Sequence, residues 1–434
     1  MKKLRFKIMA GLLTVAMTFV VFMSLVMTTF ASDAVESPVE TVDKPAKVAI
    51  TKELQMPEGT KTPTATFSFV FTKTRVDGDN TAAAIGKMPD LADSSKVDYD
   101  TESSKGITKD GIKTVTANSG NILENVTWPH AGEYVYLVRE NQGSYVIKGA
   151  AKETLVYSQA AYYLHIFIAE DTSGKLYVKG VAAFAERDQK GAEVQEKKKV
   201  DSSVPIDKNG GNNLKFTNTY TNTRGGGEAP NKTNESFFIS KEVVGEMANK
   251  SKYFSFDVTI TNNPLVSTTE YKAYITTFNG TTYTKVSLGE ANNQYEKDQD
   301  YVIITVGEKK TVTLKHGQYL VVMDSPYGTK FEAVEAAAPG YAPTAVVRES
   351  GVPQLLGDDD TANVPLSSGT KTVLSDGFSN AAFTNYAIVS IPTGISLDNL
   401  PFIAMVLVAI TAFGVFIFSK RPRRTGRQLP DNEK

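Results

Sequence analysis

VAITKEL, residues 48–54, decides how this chain is read. Its residues alternate, and in a β-strand positions two apart share a face. Val48, Ile50, Lys52 and Leu54 therefore line one side, while Lys47, Thr51 and Glu53 take the other. That places a lysine on the apolar side, which is costly for an ammonium without a partner. The pattern recurs in FFISKEVV, residues 237–244, where Phe237, Ile239, Lys241 and Val243 align with Ser240 and Glu242 opposite.

The recurrence extends outward as a weak internal repeat. ITKE (50–53) matches ISKE (239–242), FSFVFTKT (67–74) matches FSFDVTIT (254–261), and FTNTY (216–220) matches FTNYA (383–387). Between the copies, NTRGGGEAPNKTNES (222–236) has the composition of a linker, and its glycines precede no GKS or GKT. Segments such as YVYLV, YYLHIFIA, KLYVKGVAAF, YVIITV, TVTLK and YLVVM are rich in β-branched and aromatic residues. They predict antiparallel sandwiches, with short helical pieces only near residues 81–94.

The closing strands repeat the anomaly of the opening ones. Leu214, Phe216, Asn218 and Tyr220 share a face, with Lys215, Thr217 and Thr219 outside, and Ala381, Phe383, Asn385 and Ala387 do the same in the second copy. A third strand adds a carboxylate. Glu140 aligns with Tyr134, Tyr136 and Val138, and Glu335 with Phe331 and Ala333. Each copy thus points one Lys, one Glu and one Asn inward. A buried ion pair with an amide partner would satisfy such a set. Two sets in the same chain order favour a shared chemistry, an amide bond between Lys and Asn. Desolvation yields a neutral amine nucleophile and a protonated Glu, which would hydrogen-bond the carboxamide oxygen and pass a proton to departing ammonia. Folding supplies the proximity. The event occurs once per molecule and is not enzymatic turnover.

Composition fits a globular, multidomain chain. Of 434 residues, 41% are hydrophobic and 22% charged, with a net charge of −1 and short basic runs that give no footprint for nucleic acid. There is no Cys, so no disulfide can brace it, and His130, His165 and His316 have no metal-ligand spacing. No HExxH, GxSxG or Cys-His pair is present. No enzyme, metal or cofactor is expected.

The ends read as address labels. MKKLRFK followed by an apolar run to Ala31 is a secretion signal, with cleavage expected after Ala31. Near the other end, residues 400–419 read LPFIAMVLVAITAFGVFIFS, long enough to span a bilayer, with Lys420, Arg421, Arg423 and Arg424 behind it. Ahead lies SIPTG, residues 390–394. This order of parts resembles a sortase sorting signal of the LPXTG type. Pro392, Thr393 and Gly394 fit it, while Ser390 and Ile391 stand where the motif usually opens with Leu. The resemblance implies cleavage between Thr393 and Gly394.

The motifs together resemble the streptococcal major pilins of the T-antigen type. VAITKEL (48–54), TWPHAGEYVYLVRE (127–140) and LKFTNTY (214–220) are similar to that family's Lys-, Glu- and Asn-bearing strands. ISKEVVG (239–245), TLKHGQ (313–318), PYGTKFEAVE (326–335) and AAFTN (381–385) follow in the same order. The resemblance implies two tandem immunoglobulin-like, CnaB-type sandwiches, each with an isopeptide bond. The sets are Lys52–Asn218 with Glu140, and Lys241–Asn385 with Glu335. With the signals and the repeat, the expected divisions are 1–31 signal peptide, 32–46 N-terminal linker, 47–222 first domain, 223–235 linker, 236–389 second domain, 390–394 sorting motif and 395–434 tail with its apolar segment at 400–419. The resemblance implies sortase, further copies of the chain and peptidoglycan as partners, with minor pilins and a host surface ligand beyond them, and a pilus on a Gram-positive wall as location. No YPKN-like motif is present, and Ser203 falls where the family's linking lysine usually sits. Lys208 and Lys199 are the nearest candidates. That departure leaves a monomeric, wall-anchored adhesin as the alternative.

Overall fold

The computed structural model describes residues 40–91, 96–100, 105–145, 152–204, 211–224, 230–231, 235–388 and 400–419. The signal segment, Lys208, the sorting motif at 390–394 and the basic tail lie outside them, as does most of the linker. The chain divides into two compact units between Thr223 and Arg224, save that Asn263–Val266 group with the first.

The principal elements of the first unit are β1 (Thr51–Pro57), β2 (Phe69–Val76), α1 (Ala82–Ile85), β3 (Ile112–Asn118), β4 (Gly132–Glu140), β5 (Lys152–Val156), β6 (Ala161–Glu170), β7 (Leu176–Arg187) and β8 (Lys215–Arg224). One sheet joins β3, β1 and β8, with β5 on the far half of β8. The other runs β7–β6–β4–β2. Their facing sides make one apolar core. Val48, Ile50, Leu54, Val115 and Phe216 meet Phe69, Tyr134, Tyr136, Leu164 and Ile166 there. α1, capped by Thr81, is the only helical turn that the expected stretch forms among the described residues.

The second unit repeats the plan with β9 (Glu235–Val244), β10 (Phe254–Thr261), β11 (Glu270–Phe278), β12 (Lys309–Leu314), β13 (Gln318–Met323), β14 (Lys330–Glu335), β15 (Tyr341–Glu349) and β16 (Ser379–Ala387). One sheet runs β11–β13–β9–β16–β15 and the other β12–β10–β14. Phe237 on β9 stacks on Phe331 on β14, with ring centroids 4.1 Å apart and planes 4° from parallel. Both are fully buried and tie the sheets together. Phe331→Ala is expected to cost the second unit about 3–5 kcal/mol. A calorimetric scan should show its transition lowered and the first unit's unchanged.

All the β-rich segments form strands, and the chain is all-β as expected. The pairing of the end strands differs from the expectation of antiparallel sheets. The opening strand lies parallel to the closing strand in both units, β1 beside β8 and β9 beside β16. Strands at the two ends of a domain are free to run alike, because the whole domain serves as their crossover. Thr51, expected on an outer face, is fully buried, since Asn212 folds over it and its hydroxyl bonds Asn118.

Toward the C-terminus lies α2 (Leu400–Ser419), 20 residues and so about 30 Å long. Its described side chains, among them Phe402, Met405, Leu407, Ile410 and Phe413, are exposed and, apart from Thr411, apolar. Among the described residues no helix is long and apolar enough to cross a membrane. Several α2 side chains, including those of Leu400, Pro401 and Ile403, lie outside that description. The expectation of a spanning segment rests on the full sequence of α2.

Candidate functional site

Parallel pairing sets the geometry of the first site. Lys52 stands opposite Phe216 on β8, and Leu54 opposite Asn218. Lys52 and Asn218 therefore sit on neighbouring strands, on the same inward face, displaced by one pleat. Glu140 comes from β4 in the opposite sheet, where it stands across from Phe69. It reaches through the core to both. Lys52 Nζ donates to Glu140 Oε2 at 3.1 Å and to the Phe216 carbonyl at 3.3 Å. Asn218 Nδ2 donates to Glu140 Oε1 at 2.8 Å. The Lys52 and Glu140 side chains have no solvent exposure.

The second site uses the same register. Lys241 stands opposite Phe383, and Val243 opposite Asn385. Glu335 comes from β14, across from Phe256 on β10, as Glu140 is across from Phe69. Lys241 Nζ donates to Glu335 Oε1 at 2.8 Å, and Asn385 Nδ2 donates to the same oxygen at 2.7 Å. The turn before β13 holds the lysine's backbone. Gly317 N–H donates to the Lys241 carbonyl at 2.9 Å, from a φ of 76° that glycine adopts at little cost.

Aromatic rings wall both sites. Lys52 Nζ lies 5.0 Å from the Phe67 ring centroid, and Lys241 Nζ 4.5 Å from that of Phe254. Such rings exclude water. Burial pulls both lysines down to about 8, against the opposing pull of Glu140 and Glu335. Burial pushes both carboxyls up, with the facing lysine and asparagine acting against it. Amine and acid are thus driven toward each other's proton affinity, so a proton can rest on the carboxyl and leave a free amine beside a carboxamide.

One detail departs from the mechanism expected from sequence. The carboxylate faces the amide nitrogen in both sites, and not its oxygen. In the first site Asn218 Oδ1 instead accepts the Ser158 backbone N–H at 2.8 Å, which settles the orientation of the amide. In the second site Asn385 Oδ1 and Glu335 Oε2 are buried and have no hydrogen-bond partner among the described residues.

The other expected residues lie apart from these sites. Lys199 is exposed at the start of a short strand beside β7. Ser203 is exposed, with its N–H and hydroxyl on Asp201. The histidines are scattered: His165 pairs with Glu133 at 2.7 Å, His130 bonds the Ala131 carbonyl, and His316 accepts from Val243 N–H. Sequence reading missed Ser158 and Gln189.

Comparison with known proteins gives a consistent picture. A family described as a domain of unknown function, DUF7601, matches residues 235–385, which is the second unit from β9 to Asn385. A pilin from Streptococcus pyogenes serotype M1 is 25% identical over 398 residues, covering 91% of this chain and 96% of that protein. Among solved structures, the major pilin of Streptococcus pyogenes covers 80% of this chain and 99% of its own, at 19% identity and a TM-score of 0.31. The T3.2 major pilin of the same species covers 79% and 97%, at 15% identity and a TM-score of 0.29. The likeness to streptococcal pilins read from the motifs therefore runs along nearly the whole chain.

Proposed function

We propose that this chain is a pilus subunit whose domains each close an amide bond between Lys and Asn. The observation that carries the bond is the double occurrence of one arrangement: Lys and Asn one pleat apart on paired end strands, with a buried Glu between them. The full-length likeness to a streptococcal pilin supports the pilus role. A buried ion pair alone costs desolvation and often adds no net stability. Conversion to an amide removes both charges and leaves a neutral, hydrogen-bonding link.

The reaction follows from the site. The free amine of Lys52 or Lys241 attacks the carboxamide carbon of Asn218 or Asn385. The neighbouring Glu relays a proton from the amine to the leaving nitrogen, and ammonia departs. Water is excluded, so hydrolysis of the amide does not compete.

Polymerisation is the role we assign beyond single domains. The tail carries the parts of a sorting signal, with sortase as the partner that cuts after Thr393, α2 as membrane segment before release, and peptidoglycan as final anchor. Lys199 or Lys208 supplies the linking amine, and the fibre stands on the wall of a Gram-positive cell. Serine at position 203 favours a second reading, in which the same domains form a single-copy wall-bound adhesin. Intact-mass measurement of the secreted protein should show it lighter by one ammonia per domain. Boiled wall extracts should show a high-mass ladder that disappears when Lys199 and Lys208 are both changed to Arg. An unaltered mass defeats the bonds, and a single band defeats the polymer.

A further inference from the structure

The two sites share one register but differ at the carboxamide oxygen. We propose that the Ser158 backbone N–H is the oxyanion donor of the first site, held in place by Gln189, and that the second site closes without a backbone donor. This rests on the cross-linking chemistry proposed above.

When Lys52 Nζ bonds to the Asn218 carbon, negative charge develops on Oδ1. A donor already aimed at that oxygen stabilises the charge at no reorganisation cost. Ser158 N–H is such a donor, at 2.8 Å. It also lies close enough to Glu140 to hold that carboxyl partly back from its upward shift. The electron pair of the carbon–nitrogen bond leaves with Nδ2. A proton from the Lys52 amine, relayed by Glu140, completes the departing ammonia, and no other reactant is needed.

Ser158 lies in the connection between β5 and β6, so something must hold it. Its hydroxyl donates to Gln189 Oε1 at 2.7 Å and accepts Ala160 N–H at 3.1 Å. Gln189 Oε1 also accepts Thr217 N–H at 2.9 Å, and its Nε2 donates to the Lys215 carbonyl at 2.8 Å. Gln189 therefore clamps the Ser158 connection onto β8 just ahead of Asn218. It touches no reacting atom and is a positioning residue. In the second site Asn385 Oδ1 and Glu335 Oε2 are the two unpartnered buried oxygens. There Glu335 faces the amide nitrogen, and no donor is aimed at Oδ1 among the described residues.

The first domain should thus close faster than the second in one molecule. The test uses full-length chain made by in vitro translation, held in urea and refolded by dilution. Aliquots are quenched in acid, and both cross-linked peptides are quantified by mass. Ser158→Pro, which deletes the N–H, should slow the first bond by about 10²- to 10³-fold, the effect of losing one oxyanion donor. The second bond serves as the internal clock and should not change. Gln189→Ala should slow the first bond alone, and Ser158→Thr, which keeps both N–H and hydroxyl beside an intact Gln189, should close it at the unaltered rate. If Ser158→Pro does not fold, the Gln189→Ala and Ser158→Thr pair decides. Closure of the first bond at the unaltered rate in a folded Gln189→Ala chain overturns the proposal. Failure of both bonds in the unaltered chain instead removes the cross-linking reading itself.

Discussion

Replacing Glu140 by alanine is expected to leave the first domain one ammonia heavier than cross-linked protein. Its thermal midpoint should fall by about 10–20 °C, with the second domain unchanged. Glu335→Ala does the reverse. Without the carboxyl, no group relays the proton to the leaving nitrogen, and the open chain between Lys52 and Asn218 regains its loop entropy. Lys52 and Asn218 stand 166 positions apart, and by analogy with a disulfide closing a loop of that length the loss is about 5 kcal/mol. A domain of this size moves about 2–4 °C per kcal/mol. Removing one member of a buried pair is itself destabilising, so the midpoint alone does not separate the causes. The paired replacement Lys52→Met with Glu140→Leu does. It removes both charges, keeps the volume, and should recover part of the midpoint while still lacking the bond. Loss of ammonia from the Glu140→Ala chain on the normal timescale would rule out the role given to the carboxyl.

The rate of closure should fall on both sides of neutral pH, and the alkaline side is the informative one. The reactive form holds one proton on the pair, placed on the carboxyl, with the amine free. Below the raised carboxyl pKa both groups are protonated and the amine cannot attack. Above about 8, where Lys52 and Lys241 lose their proton, the pair keeps none for the leaving group. The rate should then drop about tenfold per pH unit, or roughly a hundredfold from pH 8 to 10. An amine acting alone would show the opposite sign, with the rate rising to a plateau above pH 8. A pH series of refolding reactions, followed by peptide mass, distinguishes them.

The same shifts govern an open domain such as Asn218→Ala. Lys52 sits below its unfolded value of 10.5, so the unfolded chain binds more protons between about 8 and 10.5, and stability rises across that window. Glu140 sits above its unfolded value of 4.5, so its contribution is present below 4.5 and is lost as pH rises through the folded pKa. An open domain is therefore least stable between the two.

Much of this was legible because strand alternation is a strict code. A lysine at 52 among Val48, Ile50 and Leu54 can point only inward once the strand is granted, and the repeat at 241 supplied the check. The side-chain sets followed from the faces together with the resemblance to the pilin family. Their neighbours did not. Whether β1 lies parallel or antiparallel to β8 depends on the path of the chain through the whole domain, which alternation does not encode. Ser158 acts through its backbone N–H, a group every residue but proline has, so no residue type announces it. Gln189 follows β7 and acts only through Ser158 and the β8 backbone at Lys215 and Thr217, contacts that no local pattern encodes. Thr51 was misplaced for a related reason, since a loop residue, Asn212, covers a face that the strand pattern leaves open.

Parallel end strands have a consequence for a chain pulled at both ends. The incoming segment enters β1 at its first residue and the outgoing segment leaves β8 at its last, so the two pulls act from opposite ends of one ladder. The ladder is sheared and its hydrogen bonds must break together. An antiparallel pair would be opened from one end, rung by rung. The second domain, with β9 beside β16, meets force in the same way. Each unit is therefore a stiff link before any covalent weld is made.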